Sequence, residues 1–187
     1  MIELEKTYLI KNISTGLWDR PHKEVFDIYF PQSVEHPVLR LRKNGSKFEM
    51  TKKKPIAGDT SRLEEQTIVL TEAEFVALTQ VDGKKVRKIR YKYPCGKYIA
   101  EVDVFQDSLA GLVLVDVEFP TVEEKDNFVM PEFCLADVTS AKFTAGGMLC
   151  GKSYGDIEEE LEGWGYERLE IKSSLSPVGA SDSSQGL

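Results

Sequence analysis

The chain of 187 residues contains no apolar run close to the roughly 18 residues needed to cross a bilayer. Charged residues begin at Glu3, so we expect no secretion signal. Basic residues are outnumbered, at 24 against 31 acidic residues, which argues against a broad basic surface for nucleic acid. We therefore expect a protein that binds neither membranes nor nucleic acid.

Several motifs of common enzyme classes are also missing. The three cysteines, Cys95, Cys134 and Cys150, include no CxxC pair, and their odd number indicates reduced thiols in a cytoplasmic protein. The two histidines, His22 and His36, stand alone in the sequence. There is no GxxxxGK[ST] phosphate loop, and no Ser/His/Asp or Cys/His arrangement stands out. These absences argue against a P-loop enzyme and a nucleophilic hydrolase.

What the sequence does contain is alternating charge. Seven short segments carry charged or polar residues at every second position: Glu3-Leu4-Glu5, Arg40-Leu41-Arg42, Thr51-Lys52-Lys53, Arg62-Leu63-Glu64, Lys88-Ile89-Arg90, Glu101-Val102-Asp103 and Asp116-Val117-Glu118. Because strand side chains alternate between two faces, each segment places its charges on one face. An ordinary half-exposed sheet would turn such charges to water. Seven of them in one small domain indicate a closed sheet with a charged interior, suited to a polyanion and its metal ions.

Turn and capping signals delimit the predicted elements. Asn44-Gly45 fits a type I′ turn, and a second hairpin turn is expected around Pro94-Cys95-Gly96. Eight strands are predicted, at 2–10, 25–30, 38–43, 46–53, 61–70, 86–93, 97–105 and 112–119. Capping boxes at Thr71 and Thr121 predict helices that end near Gln80 and before Pro131, and a third helix is predicted over 154–161. Residues 1–171 are predicted to form a single domain, followed by a disordered tail at 172–187.

The basic members of the alternating segments are candidate phosphate ligands. They are Arg40, Arg42, Lys53, Arg62, Lys88 and Arg90. Arginine supplies rigid forks for phosphate oxygens and lysine supplies point charges, so the mixture suits a phosphate chain. Strand parity places Lys53 on the same face as Thr51. The alternative is that these residues are solvated charges on the outer face of an amphipathic sheet.

The acidic members indicate a metal site. Glu3, Glu5, Glu101, Asp103, Asp116 and Glu118 form three acidic pairs on three strands. If they face one cavity, their repulsion and desolvation are unfavourable unless cations compensate them. Such hard oxygen ligands suit Mg²⁺ or Mn²⁺: one ion can neutralise phosphate charge and a second can activate water. The alternative is a set of internal Arg–Glu bridges with no ligand.

These segments resemble the CYTH family, also called triphosphate tunnel metalloenzymes, and look most like its bacterial inorganic tripolyphosphatases. The resemblance runs from Ile2 to about Leu149. The matching motifs are IELE at 2–5, FDIY at 26–29, LRLRKNG at 39–45, MTKK at 50–53, KIRY at 88–91, EVDVF at 101–105 and VDVEF at 115–119. The resemblance implies an α+β, mainly β fold: an eight-stranded antiparallel closed β-barrel that forms a tunnel, with a few flanking helices.

The resemblance also implies roles for the candidate residues. The main metal ligands would be Glu3, Glu5, Asp116 and Glu118, assisted by Glu101 and Asp103. The six candidate cations would grip the phosphates, and Lys142 would add a basic group near the tunnel mouth. We assign Glu5, Lys88 and Arg90 to the catalytic set. The resemblance further implies that two copies can pair as a homodimer.

Two motifs depart from the family pattern. The family signature is ExExK, but Thr7 stands where the lysine is expected and Lys6 has the wrong parity. Either the strand bulges to bring Lys6 inward, or the site lacks this cation. The RxExE motif reads Arg62-Leu63-Glu64-Glu65-Gln66, so that Gln66 replaces its last acid.

Three functions follow from these observations. The first is a metal-dependent hydrolase that releases phosphate from inorganic tripolyphosphate, or else from nucleoside or thiamine triphosphate. The second is an adenylyl cyclase of class IV type, which would need an adenine pocket. The third is a binding module that holds nucleotide or polyphosphate without turnover.

Overall fold

The computed structural model describes residues 2–57 and 59–171, so the predicted tail at 172–187 lies outside the described residues. The described chain forms nine strands: β1 Ile2–Ile10, β2 His22–Phe30, β3 Leu39–Asn44, β4 Lys47–Ile56, β5 Asp59–Leu70, β6 Lys84–Cys95, β7 Tyr98–Phe105, β8 Val113–Glu118 and β9 Cys134–Asp137. Four short α-helices are α1 Glu72–Leu78, α2 Val122–Asp126, α3 Gly146–Leu149 and α4 Glu158–Gly163. No helix among these residues is long and apolar enough to cross a membrane.

Eight of the strands close into an antiparallel barrel, as predicted. Around the barrel the order is β1-β5-β4-β3-β2-β6-β7-β8, and β8 pairs again with β1. The closing contact is short, with Glu3 opposite Leu63 and Leu4 opposite Arg62. The ninth strand, β9, was not predicted; it pairs with the end of β1, at Tyr8 to Ile10.

The main hydrophobic core lies on the outside of the barrel. Leu4 and Tyr8 on β1 are buried there together with Val102 of β7 and Val117 of β8. Covering residues come from later in the chain and include Leu161 of α4. Because the apolar faces of these strands are buried outward, their polar faces must line the interior.

A second, smaller core lies beneath α1. Phe75 of α1 packs on the outer faces of β2 and β3, against Ile28, Phe30 and Leu41. The helix begins with the predicted capping box: the Thr71 hydroxyl accepts the Glu74 N–H, and the Glu74 carboxylate accepts the Thr71 N–H at 2.8 Å. Phe75 therefore anchors a helix whose start is locally specified.

The other predicted helices differ from the structure in extent. The helix that begins after Thr121 is a short one, α2, which ends at Asp126. The predicted helix at 154–161 divides into a single 3₁₀ turn, Tyr154–Asp156, and then α4. Helix α3 was not predicted, since its sequence begins with two glycines.

The two ends of the barrel differ. At the end where β1 begins, called the turn end, the Asn44–Gly45 turn joins β3 to β4, and Gly45 has a left-handed φ of 61°. At the opposite end, called the floor end, Leu9 and Leu114 pair across β1 and β8 and are buried. Apolar side chains thus fill part of the interior at the floor end and leave the charged positions toward the turn end.

We predict that Phe75→Ala lowers the free energy of unfolding by about 3–5 kcal/mol, since it leaves a cavity between α1 and the barrel. Urea unfolding followed by circular dichroism measures the change. Val76→Ala is the control, because Val76 is next in sequence but 53% exposed, and its effect should stay within about 0.5 kcal/mol. Equal unfolding midpoints for the two variants would contradict this account of the small core.

Candidate active site in the barrel interior

Strand register determines which charged side chains face inward, because residues directly opposite each other in an antiparallel pair share a face. Glu5 lies opposite Glu118, Arg90 opposite Asp103, and Arg42 opposite Asp27. Eleven of the thirteen candidate residues fall on the inner face by this criterion: Glu3, Glu5, Arg40, Arg42, Lys53, Lys88, Arg90, Glu101, Asp103, Asp116 and Glu118. The structure therefore brings most of the predicted site together.

Arg62 is on the wrong face for the predicted role. It lies opposite Leu4, whose side chain is in the outer core, while the inward position beside Glu3 is taken by Leu63. The inward residues that follow on β5 are Glu65 and Thr67, opposite Lys53 and Thr51. The interpretation of Arg62, Glu64 and Gln66 as an inward-facing motif is therefore wrong, because the inner face of β5 is shifted by one residue in the sequence. Glu65 is the inward acid of this strand.

Lys142 also lies away from the interior cluster. It is exposed and belongs to a single 3₁₀ turn, Lys142–Thr144. Burial and the charge of Lys142 lower the pKa of His36, which places the lysine near the loop that follows β2. Its predicted contact with phosphate stays a prediction.

The most densely connected part of the interior surrounds Asp103. The Arg90 guanidinium donates from Nε and Nη2 to the two Asp103 oxygens, both at 2.6 Å, and Lys88 also donates to Asp103. Arg90 additionally contacts Glu101 and lies 3.7 Å from Asp116. Burial would raise the pKa of Asp103, but the charges of Arg90 and Lys88 lower it. Asp103 therefore stays ionised and holds both cations in place.

A second buried pair joins β2 and β3. Arg42 donates from Nε and Nη2 to the two oxygens of Asp27, both at 2.7 Å. Burial would raise the pKa of Asp27, but Arg42 lowers it to about 2. Next to this pair, Arg40 is buried and its Nε has no hydrogen-bond partner among the described residues. An unsatisfied buried guanidinium nitrogen is a ready donor for an anionic ligand.

The interior near the start of β1 is mostly acidic. Lys53 is the cation nearest to three carboxylates: it contacts Glu3 and lies 3.2 Å from Glu65 and 4.0 Å from Glu5. Burial raises the pKa of Glu5 to about 7, with Lys53 opposing the shift and Asp116, Glu3 and Glu118 adding to it. One lysine therefore does not compensate the carboxylates around it.

The carboxylates with raised pKa values cluster on two adjacent strands. Burial and the charge of Asp103 raise the pKa of Asp116, and burial and the charge of Glu3 raise that of Glu118. Both lie on β8, opposite Thr7 and Glu5 of β1. Among the described residues no three acidic, histidine or cysteine side chains converge in the geometry of a metal site. The donor type and the excess negative charge nevertheless fit a hard divalent cation at this place.

The first strand does not bulge to bring Lys6 inward. Pairing between β1 and β8 is continuous from Glu5 to Leu9, so Lys6 faces outward and Thr7 inward. The Thr7 hydroxyl donates to Asp116 at 2.8 Å. Of the two possibilities left open by the sequence, the structure supports the one in which β1 supplies no cation to the interior.

Several interior residues were missed by sequence reasoning. Asp27 and Tyr29 were noticed only as part of a motif, and Glu65 was read in the wrong register. Lys23 and Lys92, opposite Arg90 and Glu101, are also inward. Parity within single strands is enough to find Asp27, Tyr29 and Lys92, which continues the alternation of Lys88 and Arg90, whereas the cross-strand register is needed for Glu65 and Lys23.

Comparisons with known proteins agree with this geometry. The chain is 33% identical over 146 residues to the inorganic triphosphatase of Nitrosomonas europaea, covering 76% of this chain and 92% of that protein. A crystal structure of the inorganic triphosphatase NE1496 has a TM-score of 0.58 at 25% identity, covering 80% of this chain and 95% of that one. A putative adenylate cyclase from Bacillus halodurans shares the fold, with a TM-score of 0.50 at 14% identity and coverage of 92% and 94%. No family model matches the chain.

The closed barrel with a charged interior defines a triphosphate tunnel protein. By its identity to the Nitrosomonas protein over nearly all of that protein's length, the chain belongs to the CYTH family, as its motifs predicted.

We predict that Asp27→Asn lowers the free energy of unfolding. The variant's stability should also depend less on pH in the acidic range. In the folded protein the pKa of Asp27 is about 2, below its ordinary value of 3.8. Its contribution to the free energy of unfolding is therefore present above pH 3.8 and is lost as the pH falls toward 2. The shift corresponds to about 2 kcal/mol, and the uncompensated Arg42 adds to the loss near neutral pH. Urea unfolding between about pH 5 and pH 2.5 measures both effects.

The control is Asp82→Asn, which changes an exposed carboxylate. It should keep the stability and acid dependence of the native protein. If Asp27→Asn followed the native curve at every pH, the Asp27–Arg42 pair would have no role in stability.

Proposed function

We propose that this protein hydrolyses triphosphate substrates inside its barrel and releases phosphate, with inorganic tripolyphosphate as the preferred substrate. The observation that carries the proposal is the division of the interior into two walls. A basic wall on β3 and β6, the two strands that pair with β2, carries Arg40, Arg42, Lys88 and Arg90, and an acidic wall on β1 and β8 carries Glu5 and its neighbours. A phosphate chain between these walls meets donors on one side and carboxylates on the other.

The basic wall is prepared to bind phosphate oxygens. Asp103 holds Arg90 through two hydrogen bonds and also contacts Lys88, so that both cations are oriented before substrate arrives. Fixed donors stabilise developing charge without reorganising during the reaction. We therefore give Lys88 and Arg90 the catalytic role of binding the reacting phosphate. Asp103 is a positioning residue in this scheme and assists the metal site only indirectly.

The acidic wall would hold Mg²⁺ or Mn²⁺. Its members are Glu3, Glu5, Asp116 and Glu118, with Glu101 beside them on β7. A divalent ion bound there would neutralise charge on the phosphate chain and polarise a water molecule. The excess negative charge around Glu5 supports this assignment. A cytoplasmic location and pairing as a homodimer stay predictions.

A single assay tests the proposed function. Purified protein is incubated with tripolyphosphate, ATP or thiamine triphosphate, each with Mg²⁺ or Mn²⁺, while phosphate, pyrophosphate and cyclic AMP are followed. We expect phosphate release, fastest from tripolyphosphate and absent when the metal is chelated. Cyclic AMP as the product would contradict the proposal in favour of a cyclase. Tight binding without any product would favour a binding module.

In the same assay we expect Glu5→Gln to lower turnover by a factor on the order of 100 or more, because a metal ligand is lost. Glu64→Gln is the matched control, since Glu64 is exposed and faces outward opposite Ile2. Its turnover should equal that of the native protein. Full activity of Glu5→Gln would contradict the role given to the acidic wall.

The register of β5 makes a separate prediction about two basic residues. Lys53→Ala should lower kcat/KM about 10–100-fold, the loss expected for a hydrogen bond to a charged group. Arg62→Gln should change it by less than about twofold, because Arg62 faces the outer core. Thermal melts of both variants separate unfolding from lost activity. Equal losses for the two folded variants would contradict the register described above.

A further inference from the structure

Three lysines line the turn end of the barrel and have no role in the site described above. Lys23 on β2 is inward beside Arg90, Lys92 on β6 is inward beside Glu101, and Lys47 at the start of β4 lies opposite Asn44. They come from three strands that are distant in sequence, so no single sequence motif contains them. The closed barrel brings them together at the opening of its turn end, called the mouth.

Lys23 differs from every deeper cation except Arg40 in having no carboxylate partner among the described residues. Arg42, Lys53, Lys88 and Arg90 each have a carboxylate within salt-bridge distance, whereas Lys23 and Lys47 have none among the described residues. Lys92 is paired with Glu101 but is 44% exposed. Burial lowers the pKa of Lys23; Glu101 opposes this shift, and the charges of Lys92, Arg90 and Lys47 add to it. Two of the three lysines at this mouth therefore have no carboxylate within salt-bridge distance among the described residues, although Glu49 also faces inward here, opposite Arg42.

The position of Lys23 is constrained by the neighbouring hairpin. The backbone of Gly45 donates to the Glu24 carbonyl at 2.9 Å, so the β3–β4 turn is held against the beginning of β2. A side-chain carbon added at Gly45 would lie only 3.7 Å from Cβ of Lys23. The stem of Lys23 is therefore partly covered, and its half-buried position limits where the amine can reach.

The basic wall is long as well as charged. Tyr29 of β2 lies opposite Arg40, and Lys23 is six residues earlier on the same strand, which is about 20 Å at the rise of a β-strand. The deep cations Arg40, Arg42, Lys88 and Arg90 lie between these two positions. The three lysines extend the same wall past them, toward solvent.

We propose that Lys23, Lys47 and Lys92 form an additional anion subsite that takes the outer phosphates of linear polyphosphates with more than three phosphoryl groups. The inference rests on the proposed function, since it assumes that the deep cations hold the first three phosphates. The inward positions described at this end carry no aromatic ring on which a base could stack, which favours a bare phosphate chain over a nucleotide. Phosphate oxygens that meet Lys23 and Lys47, which have no salt bridge among the described residues, supply most of the affinity, and Lys92 shares its charge with Glu101.

Calorimetric binding of tripolyphosphate and tetrapolyphosphate, without metal so that neither is consumed, tests the subsite. The native protein should bind the longer chain about tenfold or more tightly, the gain expected from one charge-assisted contact. Lys23→Ala should remove most of this preference and change tripolyphosphate affinity less than twofold. Lys47→Ala should reduce the preference partially. Lys52→Ala, which removes an exposed lysine on the outer face of β4, should leave both affinities unchanged.

Each other result overturns the subsite. Equal affinity of the native protein for the two ligands would show that no such subsite exists. Equal weakening of both ligands by Lys23→Ala would show that Lys23 acts only through long-range electrostatic attraction and not through a contact with the outer phosphates. Thermal melts of the variants establish that they are folded. The proposed function fails separately: absence of phosphate release with a preserved preference for tetrapolyphosphate would reject the hydrolase and keep the subsite.

Discussion

The structure depends on the mutual neutralisation of charges that face the inside of a closed sheet. Ionised groups in such a place are unfavourable unless they are paired and hydrogen-bonded. Asp27 with Arg42 and Asp103 with Arg90 meet this condition through double hydrogen bonds that join neighbouring strands. The pairs that neutralise the charge therefore also hold the strands in register. The remaining, apolar faces of the strands turn outward and must be covered, which explains why the helices and β9 pack on the outside.

The charges of the inward side chains are not neutralised equally around the barrel, and this difference indicates where a ligand would bind. Asp27 and Asp103, which lie on strands paired with the basic wall, have lowered pKa values because each is bonded to an arginine. On β1 and β8 the pKa values of Glu5, Asp116 and Glu118 are raised. The basic wall is thus paired without a ligand except at Arg40, whose Nε has no partner among the described residues, and the acidic wall has more negative charge than Lys53 compensates. A site for a polyanion and a divalent cation needs this separation, since full pairing everywhere would leave nothing for the ligand to satisfy.

Alternation of side chains along single strands made much of this site predictable. It identified the inward faces of β1, β3, β6, β7 and β8 correctly, because each has two charges two residues apart. It failed for Arg62, since β5 contains both Glu64 and Glu65, and only pairing with β1 shows that Leu63 and Glu65 are inward. Asp27 stands alone among apolar residues, so its importance depends on Arg42, a partner on another strand. Strand β9 has only four residues and no alternating pattern to detect.

Thr7 shows how one missing cation affects the whole acidic wall. Its hydroxyl satisfies one Asp116 oxygen at 2.8 Å, but a neutral donor offsets less of the carboxylate's charge than an ammonium would. Arg90, at 3.7 Å and already bonded to Asp103, and Lys88, which also contacts Asp103, are the cations that oppose the raised pKa of Asp116. The negative charge left on β1 and β8 repels a triphosphate unless a cation arrives with it. Under the proposed function, the acidic wall would therefore accept a triphosphate only together with Mg²⁺ or Mn²⁺, whereas the basic wall would also hold the free anion.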